Sequence, residues 1–106
     1  KVSGSLLIFI SKRNLNMKLY LIHAGYYNPE IVAGLYEQHT NYFVAAENVA
    51  VAKKKALENP TCQKNKMHID GIQEINVVDG YSIKLVEDNS ADDMVIYDYN
   101  HVKNIK

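Results

Sequence analysis

Between Lys18 and Ala24 the chain alternates, with Leu19, Leu21 and His23 on one side and Tyr20, Ile22 and Ala24 on the other. That period of two predicts a β-strand, and two largely apolar faces predict a central one. Gly25 is expected to end it. Asn28-Pro29 then opens a turn, and Pro29–Ala33 is expected to form one or two helical turns with proline at the first position, stopped by Gly34. A second strand is predicted over Asn41–Ala46, with Tyr42, Val44 and Ala46 opposite Phe43 and Ala45. Between these strands lies Tyr36-Glu37-Gln38-His39-Thr40-Asn41, which has no aliphatic residue and reads as a loop of the kind that carries binding groups.

The period then changes. Asn48 is a candidate N-cap, and Val49, Ala52 and Ala56 share one helical stripe while Lys53, Lys54 and Glu58 point elsewhere. Asn59-Pro60 should end that helix, and Thr61–Met67 reads as a polar connection. A third strand is predicted over Ile72–Val78 and a fourth over Tyr81–Val86. Asp79-Gly80 joins them as a type I′ turn, which needs positive φ at both residues. Glu87–Asp93 is an acidic loop, Met94–Tyr99 a possible edge strand, and residues 100–106 an expected mobile tail. One main helix with several strands predicts an α+β fold, a two-layer sandwich with that helix on a mostly antiparallel sheet of four to five strands.

The first sixteen residues break the pattern. Ser5–Ile10 is apolar but too short to span a membrane, and no small-residue cleavage site follows it. Strand periodicity restarts at Met17, so Met17 is expected to be the biological start and residues 1–16 a non-native or disordered leader. Residues 17–99 then form one domain, expected in the cytoplasm. The length of 106 residues fits one domain and one core.

Net charge is zero over the whole chain, but from Met17 onward nine lysines face twelve acidic residues. That balance of −3 disfavours nucleic acid as a partner. Lys53-Lys54-Lys55 reads as the solvated side of the helix. The single cysteine, Cys62, excludes a disulfide framework within the chain and a cysteine-based zinc site, and reads as a bystander thiol.

Three segments carry a resemblance: Met17–Tyr27 (MKLYLIHAGYY), Gly34–Glu47 (GLYEQHTNYFVAAE) and Met67–Ile75 (MHIDGIQEI), followed by Val78-Asp-Gly-Tyr81. Together the chain resembles the bacterial family known as domain of unknown function 1543. The family has no assigned activity, so the resemblance implies no catalytic residue. Its members resemble one or two copies of this unit, which implies that a single-copy chain pairs with itself; a two-fold dimer is the commonest closure.

Three chemistries are open. His23, His39 and His68, with Asp70 or Glu37, can form an open zinc or iron site that activates water for hydrolysis. The opposing expectation is that His23 packs within the sheet while His39 and His68 face solvent or brace loops. Glu37 and His39, two apart in an extended segment, share a face and can act as a metal-free acid–base pair. Finally, eight tyrosines and no tryptophan suit a binding surface. Tyr20, Tyr26, Tyr27, Tyr36 and Tyr42 crowd the first third of the domain, and Thr40 and Asn41 can add hydrogen bonds. The reading preferred from sequence is a small binding or assembly module, a homodimer without a cofactor, using Tyr26, Tyr27, Tyr36, Glu37, His39, Asn41, His68 and Asp70. No P-loop, GxSxG, dinucleotide or kinase motif is present.

Overall fold

The computed structural model describes residues 17–89 and 94–106. The expected leader over residues 1–16 and the middle of the acidic loop lie outside these residues. The fold is α+β. Strands β1 (Lys18–Tyr27), β2 (Glu37–Ala46) and β3 (His68–Ile75) form an antiparallel sheet in the order β2-β1-β3. Helices α1 (Val49–Glu58) and α2 (Pro60–Lys64) follow β2. A separate two-stranded ladder, β4 (Val77–Val78) with β5 (Tyr81–Ser82), and the short helix α3 (Tyr99–Val102) complete the described elements.

β1 is central as its two apolar faces predicted, but Gly25 does not end it. The strand runs two residues further, and β2 begins four residues earlier than expected, at Glu37. The run read as a loop is therefore strand, paired residue by residue from Tyr27↔Glu37 to His23↔Asn41. Its lack of aliphatic residues reflects one solvated face and a thinly covered end of the other. The helical turn expected at Pro29–Ala33 is replaced by a tight turn with positive φ at Val32, Ala33 and Gly34, which swings the chain back into β2.

α1 starts as predicted, with the Asn48 side chain accepting from the Val51 amide at 2.9 Å. Ala52 and Ala56 are fully buried against Tyr20, Ile22 and Ala46, whereas Val49 is exposed. Small residues at the contact let the helix lie close enough for the Tyr42 hydroxyl to donate to the Ala56 carbonyl at 3.0 Å. Asn59 ends α1 and caps α2, its side chain accepting from Thr61 and Cys62 amides. The connection expected at Thr61–Met67 is thus largely helical, and it buries Cys62 and Met67 against Ala24.

The hairpin turn forms as the Asp79-Gly80 pair requires, with φ of 52° and 83°. It does not extend the main sheet, contrary to the four- or five-stranded expectation. β3 pairs with β1 up to Ile75↔Leu19, one residue from the start of β1, and among the described residues the chain beyond Asn76 pairs only within the β4–β5 ladder. No strand forms at Met94–Tyr99 among the described residues; Tyr99–Val102 makes a helical turn capped by Asp98. No helix among the described residues is long and apolar enough to cross a membrane.

Candidate metal centre

Both longer helices contact the face of the sheet that carries Tyr20, Ile22 and Ala24. Alternation turns Leu19, Leu21, His23, Gly25 and Tyr27 of β1 to the opposite, open face. The register adds Glu37, His39, Asn41, Phe43 and Ala45 from β2, and His68 from β3. This face divides along its length. Leu19, Leu21, Phe43 and Ala45 make one end apolar, while the other end gathers every histidine of the sheet.

Gly25 pairs with His39 on one side and His68 on the other. The two imidazoles therefore flank a residue with no side chain and lean over it from neighbouring strands. Glu37 and Asp70 sit between them. His39 Nε2 lies 2.8 Å from Glu37 Oε1 and 3.4 Å from Asp70 Oδ2. His68 Nε2 lies 2.7 Å from Glu37 Oε2 and 3.2 Å from Asp70 Oδ1. His23 stacks on His39 with ring centroids 5.0 Å apart, and its Nδ1 is 2.7 Å from Asn41 Oδ1. His23 is thus not packed within the sheet with a backbone partner; it is an exposed member of this group.

A β-bulge brings Asp70 here. The register slips between His23↔Gly71 and Ala24↔Ile69, leaving Asp70 as the extra residue of β3. With that extra residue, His68 and Asp70 face out while both Ile69 and Ile72 pack against the core. Two isoleucines three apart in a strand, with Gly71 between them, are the trace of this bulge in the sequence.

The structure divides the predicted binding set. Glu37, His39, Asn41, His68 and Asp70 come together, and Tyr27, opposite Glu37, shares their face. Tyr26 and Tyr42 lie on the other face, and exposed Tyr36 precedes β2. All four residues predicted as metal ligands, His23, His39, His68 and Asp70, are in the cluster. Sequence reading missed Gly25, whose signal was its place between strand residues on both sides rather than beside a turn. Two triads of potential ligand atoms, His23–His39–Asp70 and Glu37–His68–Asp70, each lie within 4.8 Å of one another. Imidazole nitrogen with carboxylate oxygen is a donor set for zinc, iron or manganese. The side chains of Glu37, His39, His68 and Asp70 are 31 to 48% exposed, so solvent reaches the cluster.

On the helix side, Tyr26, Thr40, Tyr42, Asn59, Thr61, Asn65 and Met67 line a cleft of about 270 Å³. Burial, with the Cys62 thiol nearby, pushes the Tyr42 phenol up from 10.0 to about 12. A phenol that is a weaker acid in the folded chain ionises first in the unfolded one, so its contribution to stability is intact below pH 10 and is lost as pH rises toward 12. Tyr42→Phe is expected to cost about 1 kcal/mol at neutral pH, the value of its hydrogen bond, and to flatten the decline between pH 10 and 12. Urea denaturation at pH 7, 10 and 11.5 reads both; an unchanged alkaline slope would show that Tyr42 does not set it.

Residues 34–85 match the model of a family described as Domain of Unknown Function (DUF1543). The match covers Glu37, His39, Asn41, His68 and Asp70 but begins after His23 and Gly25. No curated protein and no solved structure matches the chain.

Proposed function

We propose that this protein is a metal-assisted hydrolase whose centre is a divalent cation held above Gly25 by Glu37, His68 and Asp70. One observation carries this reading. A Cβ built on Gly25 would stand 2.6 Å from His68 Nε2, 2.7 Å from Asp70 Oδ2 and 3.0 Å from Glu37 Oε2. Nitrogen and carboxylate donors from three side chains thus crowd into the space that Gly25 leaves open, and a cation seated beyond the Cβ position would have all three within reach after small side-chain shifts. Imidazole and carboxylate ligands favour zinc or iron. Three protein ligands leave a position for water, and a bound cation lowers the pKa of that water to roughly 7. The hydroxide adds to a carbonyl or phosphoryl centre, and the leaving group departs with a proton from solvent, so that one water is consumed per bond broken. This replaces the cofactor-free binding module as the favoured reading.

A second reading, the expected homodimer, is supported by the apolar end of the same face, where Phe43 is 63% exposed beside Leu19 and Leu21. A second copy on that face would bury this patch and wall the metal centre. The two-layer arrangement, with helices on one face and the centre on the other, and a cytoplasmic setting belong to the same proposal.

Elemental analysis and native mass of the full chain, purified without a histidine tag, test it. Zinc or iron near or above one equivalent, with about one equivalent lost in His68→Ala, is the expected result. A protein that holds no metal, and takes up none from added zinc after dialysis, would overturn it.

A further inference from the structure

Each carboxylate in the cluster is shared. Glu37 directs Oε1 to His39 and Oε2 to His68; Asp70 directs Oδ2 to His39 and Oδ1 to His68. Two carboxylates each spanning two imidazoles is the arrangement that bridges a pair of cations. The ligand-competent triads divide accordingly, one with Glu37 and His68, the other with His23 and His39, and they meet at Asp70. A single cation above Gly25 would use His39 only as an outer partner of Glu37 and Asp70, and would make no direct use of the His23–His39–Asp70 triad.

His23 is oriented as a ligand would be. Asn41 Oδ1 can only accept, so the 2.7 Å contact makes His23 Nδ1 the donor and leaves Nε2 as the ring nitrogen that faces a cation. An outer partner that fixes tautomer and ring orientation is the usual companion of a metal-bound histidine. Asn41 is placed for this by the register, directly opposite His23. His23 stacks face to face on His39, with ring planes 11° apart, and a ligand atom of each ring lies within 4.8 Å of an Asp70 oxygen.

We infer that the centre is dinuclear: Asp70 bridges two divalent first-row cations, the first held by Glu37 and His68, the second by His23 and His39. The inference rests on the metal reading above and adds a second site to it. Paired cations about 3.5–4 Å apart clamp both the attacking and the leaving oxygen of an in-line displacement. That geometry points to phosphoesters as substrates. Hydroxide oxygen bonds to phosphorus, the ester P–O bond breaks, and the departing alkoxide takes a proton from water.

Zinc titration of the full chain, followed by native mass spectrometry, counts the sites, and manganese loading with electron paramagnetic resonance reads their separation. The expected result is two equivalents of zinc and a spin-coupled manganese signal in the native sequence. His23→Ala should fall to one equivalent and give the six-line signal of isolated manganese. His23→Gln, which can still hydrogen-bond Asn41, should behave like the alanine variant. An unchanged thermal midpoint in both variants would show that the lost ion is not lost fold. One equivalent in the native sequence, or two retained in both His23 variants, would overturn the second site while leaving the first. No bound metal at all would overturn both.

Discussion

Gly25→Val is expected to strip the protein of metal and leave it folded. A Cβ at this position would fall within 3.0 Å of His68 Nε2, Asp70 Oδ2 and Glu37 Oε2, so it would occupy the point where the donor atoms converge. All three neighbours are ends of side chains on an open face, and they can swing into solvent. The backbone is not strained by the change, since Gly25 is not among the positive-φ glycines. A glycine inside a strand already costs about 0.5–1 kcal/mol, and valine suits a pleated strand. Stability should therefore shift by no more than about 1 kcal/mol in either direction. Metal affinity should fall by about 100-fold or more, because losing one outer partner of a ligand alone costs 10–100-fold. Isothermal titration with zinc, beside a thermal melt, separates the two. Native affinity in a folded Gly25→Val protein would show that the cation does not sit above Gly25.

The opposite face should answer in the opposite way. Ile22→Ala is expected to lower unfolding free energy by about 2–5 kcal/mol, the range for truncating a buried isoleucine. Ile22 is fully buried at the centre of the sheet, in a cluster with Tyr20, Ala46, Ala52 and Ala56. Three of those four neighbours are alanines, which have no rotamers with which to fill the space. The helix cannot readily close the gap, since α1 is tied by the Tyr42–Ala56 hydrogen bond, which leaves only the partly buried side chains at the margin of the cluster to relax into it. For a domain whose total stability is of the order of 5–15 kcal/mol, such a loss leaves a substantial unfolded fraction. Urea titration of both proteins measures it; a change under about 1 kcal/mol would mean that the helix collapses onto the gap. Leu21→Ala, one residue away on the open face, should cost less because Leu21 is only half-buried.

Read from sequence, several candidate residues were given the wrong local setting. Glu37 and His39 were placed on a loop because Tyr36–Asn41 has no aliphatic side chain. Strand pairing needs no aliphatic residue when one face is solvated, and the alternation of the ten-residue β2 is masked where its outward positions are Glu, His and Asn. The tyrosines failed differently. Clustering along the chain suggested one surface, but Tyr26 and Tyr27 are neighbours in a strand and so point to opposite faces. Gly25 was taken as a stop signal, the usual meaning of glycine after an apolar strand. Its place in the cluster comes from what stands on the two flanking strands, which no local pattern records.

What the amino-acid sequence determined by itself was everything governed by near neighbours. The alternation of β1, the alanine stripe and Asn48 cap of α1, and the Asp79-Gly80 turn each follow from side-chain period or backbone φ within a few residues, and each is found where it was read. What only the tertiary structure decided was register. His39 and His68 meet over Gly25 because β2 and β3 pair with β1 in the registers Gly25↔His39 and Gly25↔His68, which join residues 14 and 43 positions apart along the chain. Asp70 joins them because one extra residue in β3 lets both Ile69 and Ile72 reach the core. A one-residue slip would turn every one of these side chains to the other face, so the centre exists as a property of pairing between distant strands and not of any segment that contributes to it.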